Sequence, residues 1–162
     1  MDPLSLRQIE ERLRRLEDER DIQRTMATYG HAIDSGDEAA FMDCWAPDAI
    51  LDWPTRDRPM RGHDEIRAAF RWHTHAPQAL HKHVMVEPVI DIHGDSADVT
   101  SMFARFDRYG GVPLIRIYGR YLDRLTRCGD GKWRFTHRQA VAEVMRKEAP
   151  DIDHAALQPP GR

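Results

Sequence analysis

The sequence is poor in cysteine and lysine. Its 162 residues include only two cysteines, Cys44 and Cys128, which form neither a CxxC pair nor a zinc-type spacing. We therefore expect two free thiols in a reducing compartment. No apolar run approaches the roughly 18 residues that cross a membrane, and residues 1–15 lack the apolar segment of a signal peptide. These absences predict a cytoplasmic protein without a membrane partner.

Motifs that bind nucleotides or mark common hydrolases are also missing. The chain has no P-loop, no GxSxG sequence and no dinucleotide-binding fingerprint. Lysine occurs three times against 21 arginines, and the net charge is −3. A slightly acidic chain gives no reason to expect a nucleic-acid partner.

What is present is the composition of one globular domain, with 41% hydrophobic and 31% charged residues. We assign residues 1–146 to this domain and residues 147–162 to a loosely held C-terminal arm. Residues 1–17 predict a leading amphipathic helix, because four apolar residues recur at helical spacing: Leu6, Ile9, Leu13 and Leu16. Such a stripe needs a partner surface, so we expect a homo-dimer or homo-trimer.

The helical pattern then slips and continues in a new phase through four further residues: Ile22, Met26, Tyr29 and Ile33. The sequence allows one bent helix, or two helices with Asp18 or Asp21 as the second N-cap. Gly36 predicts the helix end.

Three short elements are expected next. Asp37 is typical of the N-cap of a helix over Glu38–Trp45, which Pro47 would end. The apolar run Ala49–Trp53 predicts a strand, and the connector after it, with two prolines, predicts a loop or a weak edge strand. Asp64–His73 predicts another helix.

From residue 82 the apolar period changes from about 3.6 to 2, which is typical of strands. Turn residues divide this part into four predicted strands: Lys82–Ile92, Ala97–Arg108, Leu114–Arg127 and Trp133–Val144. Helices followed by strands predict an α+β fold, with the helices on one face of a mostly antiparallel sheet. A hollow between helices and sheet would be the place for a small molecule.

Asp34 is the first candidate for chemistry. It ends the first helical pattern, where a carboxylate is unfavourable unless a cation lies beside it. His81, in the sequence HKH, could supply that cation, and a histidine oriented by a buried carboxylate can act as a general base. We therefore predict an Asp34–His81 dyad. A solvated turn for Asp34 and a surface position for His81 are the alternatives.

Tyr29 and Arg138 are further candidates. Tyr29 lies five residues before Asp34, so the two share a face only if the last helical turn unwinds. An inward Arg138 on the last strand would hold an anionic or carbonyl oxygen. A core position for Tyr29 and a surface position for Arg138 are the alternatives.

A metal site must also be considered. His81 and His83 share one face of a strand and Glu87 follows, which resembles part of the first motif of the cupins. The leading glycine of that motif and a second motif are missing, and about seventy residues of helix-rich sequence precede it. We therefore expect no metal and no other cofactor.

Five sequence blocks together resemble the SnoaL-like branch of the nuclear transport factor 2-like superfamily. They are YGHAIDSG, WAPDA, GHDEI, HKHVMVEP and DGKWRFTHR, spread over residues 18–145. The resemblance implies a curved, mostly antiparallel sheet wrapped by N-terminal helices into a cone with a deep pocket, a cystatin-like α+β barrel. Family members include dehydratases, a dehydrochlorinase and polyketide cyclases, several with a His–Asp dyad and no cofactor. Carried over, the four catalytic positions fall on Tyr29, Asp34, His81 and Arg138.

The resemblance implies a cofactor-independent lyase or isomerase that acts on an apolar ring compound, such as a steroid, a polyketide or an aromatic. We expect four residues to line the substrate pocket: Trp53, Phe70, Met102 and Tyr118. A non-catalytic binding protein, or a structural protein like the β subunit of ring-hydroxylating dioxygenases, is the alternative. A metal-dependent, cupin-like enzyme is the second alternative.

Overall fold

Three helices cover a six-stranded sheet in the computed structural model, which describes residues 5–76, 79–109 and 112–146. The helices are α1 (Leu6–Ser35), α2 (Glu38–Asp43) and α3 (Gly62–Trp72). The strands are β1 (Trp45–Asp52), β2 (Met60–Arg61), β3 (Lys82–His93), β4 (Ser96–Tyr109), β5 (Val112–Arg127) and β6 (Trp133–Met145). The predicted C-terminal arm lies outside the described residues.

The sheet order is β2-β1-β6-β5-β4-β3, and only the β1–β6 pair is parallel. The α+β class and the mostly antiparallel curved sheet are therefore confirmed. The four long strands begin and end within two residues of their predicted bounds. The connector with two prolines contains β2, a two-residue edge strand.

Helix α1 is continuous over 30 residues, so the one-helix alternative holds and neither Asp18 nor Asp21 is a second N-cap. Asp21 lies exposed within the helix, and Asp18 is buried there. The Asp18 carboxylate pairs with Arg127 and accepts a hydrogen bond from the Trp133 indole at 3.2 Å. The change of phase has a physical cause: residues after 17 pack on the sheet, whereas Leu6, Ile9, Leu13 and Leu16 are exposed.

The helix caps are as predicted, but α2 is shorter. Gly36 ends α1 with a left-handed φ of 80°, and the Asp37 side chain accepts a hydrogen bond from Ala40 N. Helix α2 ends at Asp43, because Trp45 already pairs with β6. Pro47 therefore does not end the helix. It lies in β1, where the register with β6 shifts and a proline costs no ladder hydrogen bond.

Close packing of β5 on β6 bends the sheet around the core. Gly119 lies at a register shift between these strands, and a Cβ there would overlap the Val141 carbonyl oxygen. Irregular pairing of this kind increases the local twist and curvature of a sheet. The concave face packs on α1 and α3 around an aromatic core whose most buried members are Tyr29, Phe41, Trp45, Trp133 and Phe135.

Candidate functional site

The last turn of α1 meets the first residues of β3, and this contact brings Asp34 to the histidines. Asp34 Oδ1 lies 2.7 Å from His83 Nδ1. The His83 backbone amide donates to both Asp34 carboxylate oxygens, at 3.2 and 3.1 Å. Asp34 is only 5% exposed, and the Lys82 ammonium lies 3.8 Å from its Oδ2. The unfavourable carboxylate at the helix end is thus held by two hydrogen-bond donors of His83 and by the nearby charge of Lys82.

Burial alone would raise the pKa of Asp34, but the hydrogen bonds from the His83 ring and backbone outweigh it. The pKa of this carboxyl is therefore below its ordinary value, and Asp34 is ionised at neutral pH. An ionised acceptor at Nδ1 fixes the His83 tautomer, with the proton on Nδ1 and a free lone pair on Nε2.

Asp34 and His81 lie beside each other, but the structure shows no hydrogen bond between them. His81 Nε2 lies 3.5 Å from Asp34 Oδ1, and neither ring nitrogen of His81 has a hydrogen-bond partner among the described residues. His81 and His83 are two residues apart and both face inward, so their pattern in sequence is the same. His83 forms the hydrogen bond with Asp34 because its backbone amide also donates to that carboxylate.

Four imidazoles cluster beside this carboxylate. The His73 ring centroid lies 4.8 Å from that of His81, 5.9 Å from that of His83 and 5.4 Å from that of His75. Burial, and then the neighbouring positive charge, lowers the pKa of His73 to about 3 and that of His81 to about 4. Both rings are therefore neutral at pH 7. His75 instead contacts two backbone carbonyls and ties α3 to α1.

His83 lies in the wall of a cavity of about 300 Å³ between the helices and the concave sheet face. The apolar wall is largely aromatic and includes Tyr29, Trp53, Phe103 and Tyr121. Polar groups in the wall include His73, Arg105, Asp107 and Arg116, of which Arg105 and Asp107 form a bidentate pair at 2.7 and 3.1 Å. Such a cavity accepts a ring compound that carries one or two polar groups.

Of the four residues expected to line the pocket, the structure places only Trp53 in the wall of this cavity. Phe70 is 2% exposed and packs on Phe41 in the core. Met102 and Tyr118 are 46% and 44% exposed on the convex sheet face, outside the wall of this cavity. Strand alternation instead turns their inward neighbours, including Phe103 and Tyr121, toward the cavity.

Tyr29 lies in the cavity wall and in the aromatic core. It is 1% exposed, its hydroxyl accepts a 3.4 Å hydrogen bond from the Trp53 indole, and its ring packs on Phe41, Trp45 and Tyr121. Burial raises the pKa of Tyr29, so its hydroxyl stays protonated and can donate a hydrogen bond.

Arg138 lies behind the wall and not in it. Its side chain is fully buried, and its Nε and Nη2 donate to Asp123 at 2.8 and 2.6 Å. The guanidinium lies 4.1–4.2 Å from the ring centroids of Tyr29, Tyr121 and Phe135. A direct contact between Arg138 and a substrate oxygen therefore stays a prediction, since Asp123 holds the Nε and Nη2 of this buried side chain. Arg138 supports the wall through its rings.

Three side chains could hold a metal. One donor atom each from Asp34, His81 and His83 lies within 4.8 Å of the others. Glu87, the third residue of the cupin-like pattern, is exposed at an irregularity of β3 with φ 52° and takes no part in this group.

Residues 14–139, which are more than half of the chain, match the family model of the SnoaL-like domain. The chain belongs to the SnoaL-like family. No curated protein matches the SnoaL-like chain in sequence. Within the described residues, no helix has the length and apolar character that crossing a membrane requires.

Solved structures show the same fold. An NTF2-like protein with a cystatin-like fold from Novosphingobium aromaticivorans has 24% identity and a TM-score of 0.74, over 83% of this chain and 88% of that one. The "Putative Scytalone Dehydratase" from the same organism has 20% identity and a TM-score of 0.71, over 84% and 91%. ActVI-ORFA from Streptomyces coelicolor has 17% identity and a TM-score of 0.67, over 76% and 95%. At these identities the likeness concerns the fold.

Proposed function

We propose that this SnoaL-like protein is a cofactor-independent lyase or isomerase that removes a proton from an apolar ring compound, with His83 as the base. One observation carries the proposal: a buried carboxylate, Asp34, lies 2.7 Å from the Nδ1 of a histidine in the wall of an aromatic cavity. The dyad therefore contains His83, where the sequence pattern had favoured His81.

The proton goes to His83 Nε2, because Nδ1–H is engaged by Asp34. The ionised Asp34 stabilises the imidazolium that forms, as a buried carboxylate does for other catalytic histidines. In an elimination, the C–H electrons become the new double bond and the carbon–oxygen bond to the leaving hydroxyl breaks. The imidazolium then returns its proton to that oxygen, which leaves as water. In an isomerisation, the proton returns to another carbon.

Developing negative charge on a substrate oxygen needs a donor, and the cavity wall offers Tyr29. Its hydroxyl is held protonated by burial, and Arg138 packs against its ring from behind. Fixed donors at such a position contribute a large share of catalysis in many enzymes. Arg138 thus acts through Tyr29 and Tyr121 and is a positioning residue.

The substrate is an apolar ring compound with a hydroxyl or carbonyl group. The largely aromatic wall offers stacking surface, and the cavity of about 300 Å³ is at the lower end of volumes for drug-sized ligands. The "Putative Scytalone Dehydratase" that shares the fold bears a name from the same reaction class.

The test is a panel of cyclic β-hydroxyketones, steroid-like and polyketide-like, followed by the absorbance of the conjugated enone. With a substrate found, His83→Gln should lower kcat by about 10²–10⁴-fold, the usual contribution of a general base. Asp34→Asn should lower it too, because an amide cannot stabilise the imidazolium. His93→Gln, an exposed substitution on the same strand, is the control.

If His83→Gln lowered kcat only a few-fold and His81→Gln lowered it more, His81 would be the base instead. A compound that binds in the cavity and is recovered unchanged, under all conditions tried, would favour the non-catalytic binding protein.

We also propose a homo-dimer or homo-trimer. The stripe of α1 is exposed, with Leu6 at 81% and Leu16 at 63%, and the convex sheet face carries Val84, Met102 and Tyr118. Light scattering should give two or three times the 18.8 kDa chain mass. A mass of one chain at micromolar concentration would contradict this.

A further inference from the structure

His81 is a buried histidine that the proposed reaction does not use. It is 2% exposed, and both of its ring nitrogens lack a hydrogen-bond partner among the described residues. Leaving a buried polar group without a partner is unfavourable, because the group has lost its hydrogen bonds to water. Such a group next to a carboxylate and a second imidazole points to a ligand that completes the site.

The distance between His81 and Asp34 suits a metal ion. His81 Nε2 lies 3.5 Å from Asp34 Oδ1. Two ligands of a tetrahedral ion with bonds of about 2.0–2.1 Å are about 3.3–3.4 Å apart, so an ion fits between these two atoms with little movement. His83 Nδ1 lies 2.7 Å from the same carboxylate oxygen, which is a hydrogen-bond distance, so the His83 ring must turn to become the third ligand. The three donor atoms are within 4.8 Å of one another.

We propose that Asp34, His81 and His83 bind one divalent transition-metal ion through a carboxylate oxygen and two imidazole nitrogens. Imidazole with carboxylate selects Zn²⁺, Co²⁺ or Fe²⁺, whereas Mg²⁺ and Ca²⁺ prefer oxygen ligands alone. Three protein ligands leave at least one position for water or substrate.

The ion has a way in that avoids the catalytic cavity. Asp34, Lys82 and His83 line a groove of about 690 Å³, and of these three only His83 also lines the catalytic cavity. The Lys82 ammonium, 3.8 Å from Asp34 Oδ2, is the charge that an ion must displace. Its side chain is 69% exposed and is free to swing into solvent.

Metal binding and base catalysis exclude each other, and this consequence rests on the proposed function. An ion bound to His83 Nδ1 replaces the proton that Nδ1 donates to Asp34. It therefore breaks the Asp34–His83 hydrogen bond. Added zinc should therefore inhibit turnover by the dyad, and a chelator should restore it.

The experiment uses the full chain treated with EDTA and then titrated with Co²⁺ and with Zn²⁺. We expect one ion per chain, a visible Co²⁺ absorption of a four- or five-coordinate site, and heat of binding for Zn²⁺. His81→Gln, His83→Gln and Asp34→Asn should each weaken binding at least tenfold, with native circular dichroism. His93→Gln, an exposed histidine on β3, should bind as the wild type does.

A variant that binds the ion more tightly than the wild type tests the site independently, because misfolding cannot explain tighter binding. Lys82→Ala removes the competing ammonium and should tighten Zn²⁺ binding several-fold. An absent Co²⁺ spectrum, or equal affinities of His81→Gln and wild type, would overturn the site.

The outcomes separate this site from the proposed function. Turnover in EDTA without any metal binding would reject the metal site and leave the dyad in place. One bound ion with turnover only in its presence would confirm the site and reject the cofactor-independent reaction.

Discussion

Two buried carboxylates, Asp123 and Asp34, each bind a residue that supports or forms the cavity wall, and they are held in opposite ways. Asp123 receives two guanidinium hydrogen bonds from Arg138, at 2.8 and 2.6 Å, and both side chains are fully buried. Asp34 shares its oxygens between the His83 ring, the His83 backbone and the more distant Lys82 and His81. Asp123 therefore has one strongly bound partner, whereas Asp34 has several weaker ones.

The difference separates a structural pair from a reactive one. Arg138 Nη1 has no hydrogen-bond partner in the described part of the chain, but three aromatic rings surround the guanidinium and hold it in one place. The Asp34 cluster contains a titratable ring in the cavity wall and a second ring, His81, without a partner. Unfavourable local features, such as a buried polar group without a partner, are common at functional sites. Of these two clusters, only the Asp34 cluster has such a feature next to a cavity.

The largest expected effect is on stability. Arg138→Met leaves Asp123 buried without its partner, and breaking a buried pair in this way costs about 3–5 kcal/mol of unfolding free energy. Urea denaturation measures it. The double variant Arg138→Met with Asp123→Leu removes both charges and should be more stable than Arg138→Met alone.

Asp34→Asn is the matched variant in the other cluster. An asparagine keeps an oxygen for the His83 backbone amide, so we expect a loss of only about 1 kcal/mol, near the net contribution of one hydrogen bond. The comparison would fail if Asp34→Asn were as destabilising as Arg138→Met, because both pairs would then be structural.

Most of the fold could be predicted from the sequence, because its signals are local. Glycine and aspartate turns bound β3 to β6, and the period of two within each strand set their ends to within two residues. The sequence left alternatives open where tertiary contacts decide. The phase change at residue 17 allowed one bent helix or two helices, and in the structure Asp18 forms an ion pair with Arg127, more than a hundred residues away, inside one continuous helix.

The site was harder to predict than the fold. Asp34 could be found because a carboxylate at a helix end is unfavourable. Nothing in HKH distinguishes His81 from His83, since both face inward and the choice depends on a backbone hydrogen bond to Asp34. Pocket residues on β4 and β5 depend on strand register, and an error of one residue moves every side chain to the other face. Asp123, the partner of Arg138, could have been found as an acidic residue in an otherwise apolar inward row of β5.

Acid should destabilise the Asp34 cluster first. Burial lowers the pKa of His73 to about 3 and that of His81 to about 4, against 6.5 for an ordinary histidine. The unfolded chain therefore gains protons before the folded one does, and stability falls as the pH drops from about 6.5 to about 4. The charged or titratable groups that face these rings are Asp34, His75, His83, Arg105 and Asp107.

Because the His73 ring is partly exposed, solvent reduces the effect, and we expect a loss of about 1–2 kcal/mol over this pH range. Urea denaturation of the EDTA-treated chain at several pH values measures it. His93→Gln should follow the wild type, because His93 is exposed. A free energy of unfolding that stays constant from pH 7 to about 4.5 would show that these rings are already charged or solvated.

The smallest effect is also the most direct test of the difference between the clusters. His81→Leu replaces a buried ring without hydrogen-bond partners by an apolar side chain of similar size. At pH 8 in EDTA this should raise the free energy of unfolding by about 1 kcal/mol, because the cost of an unpaired buried polar group disappears. The same variant should lose less stability in acid than the wild type does. A loss of more than about 1 kcal/mol at pH 8 would mean that His81 has a partner in the metal-free protein, and the Asp34 cluster would then be as closed as the Asp123 pair.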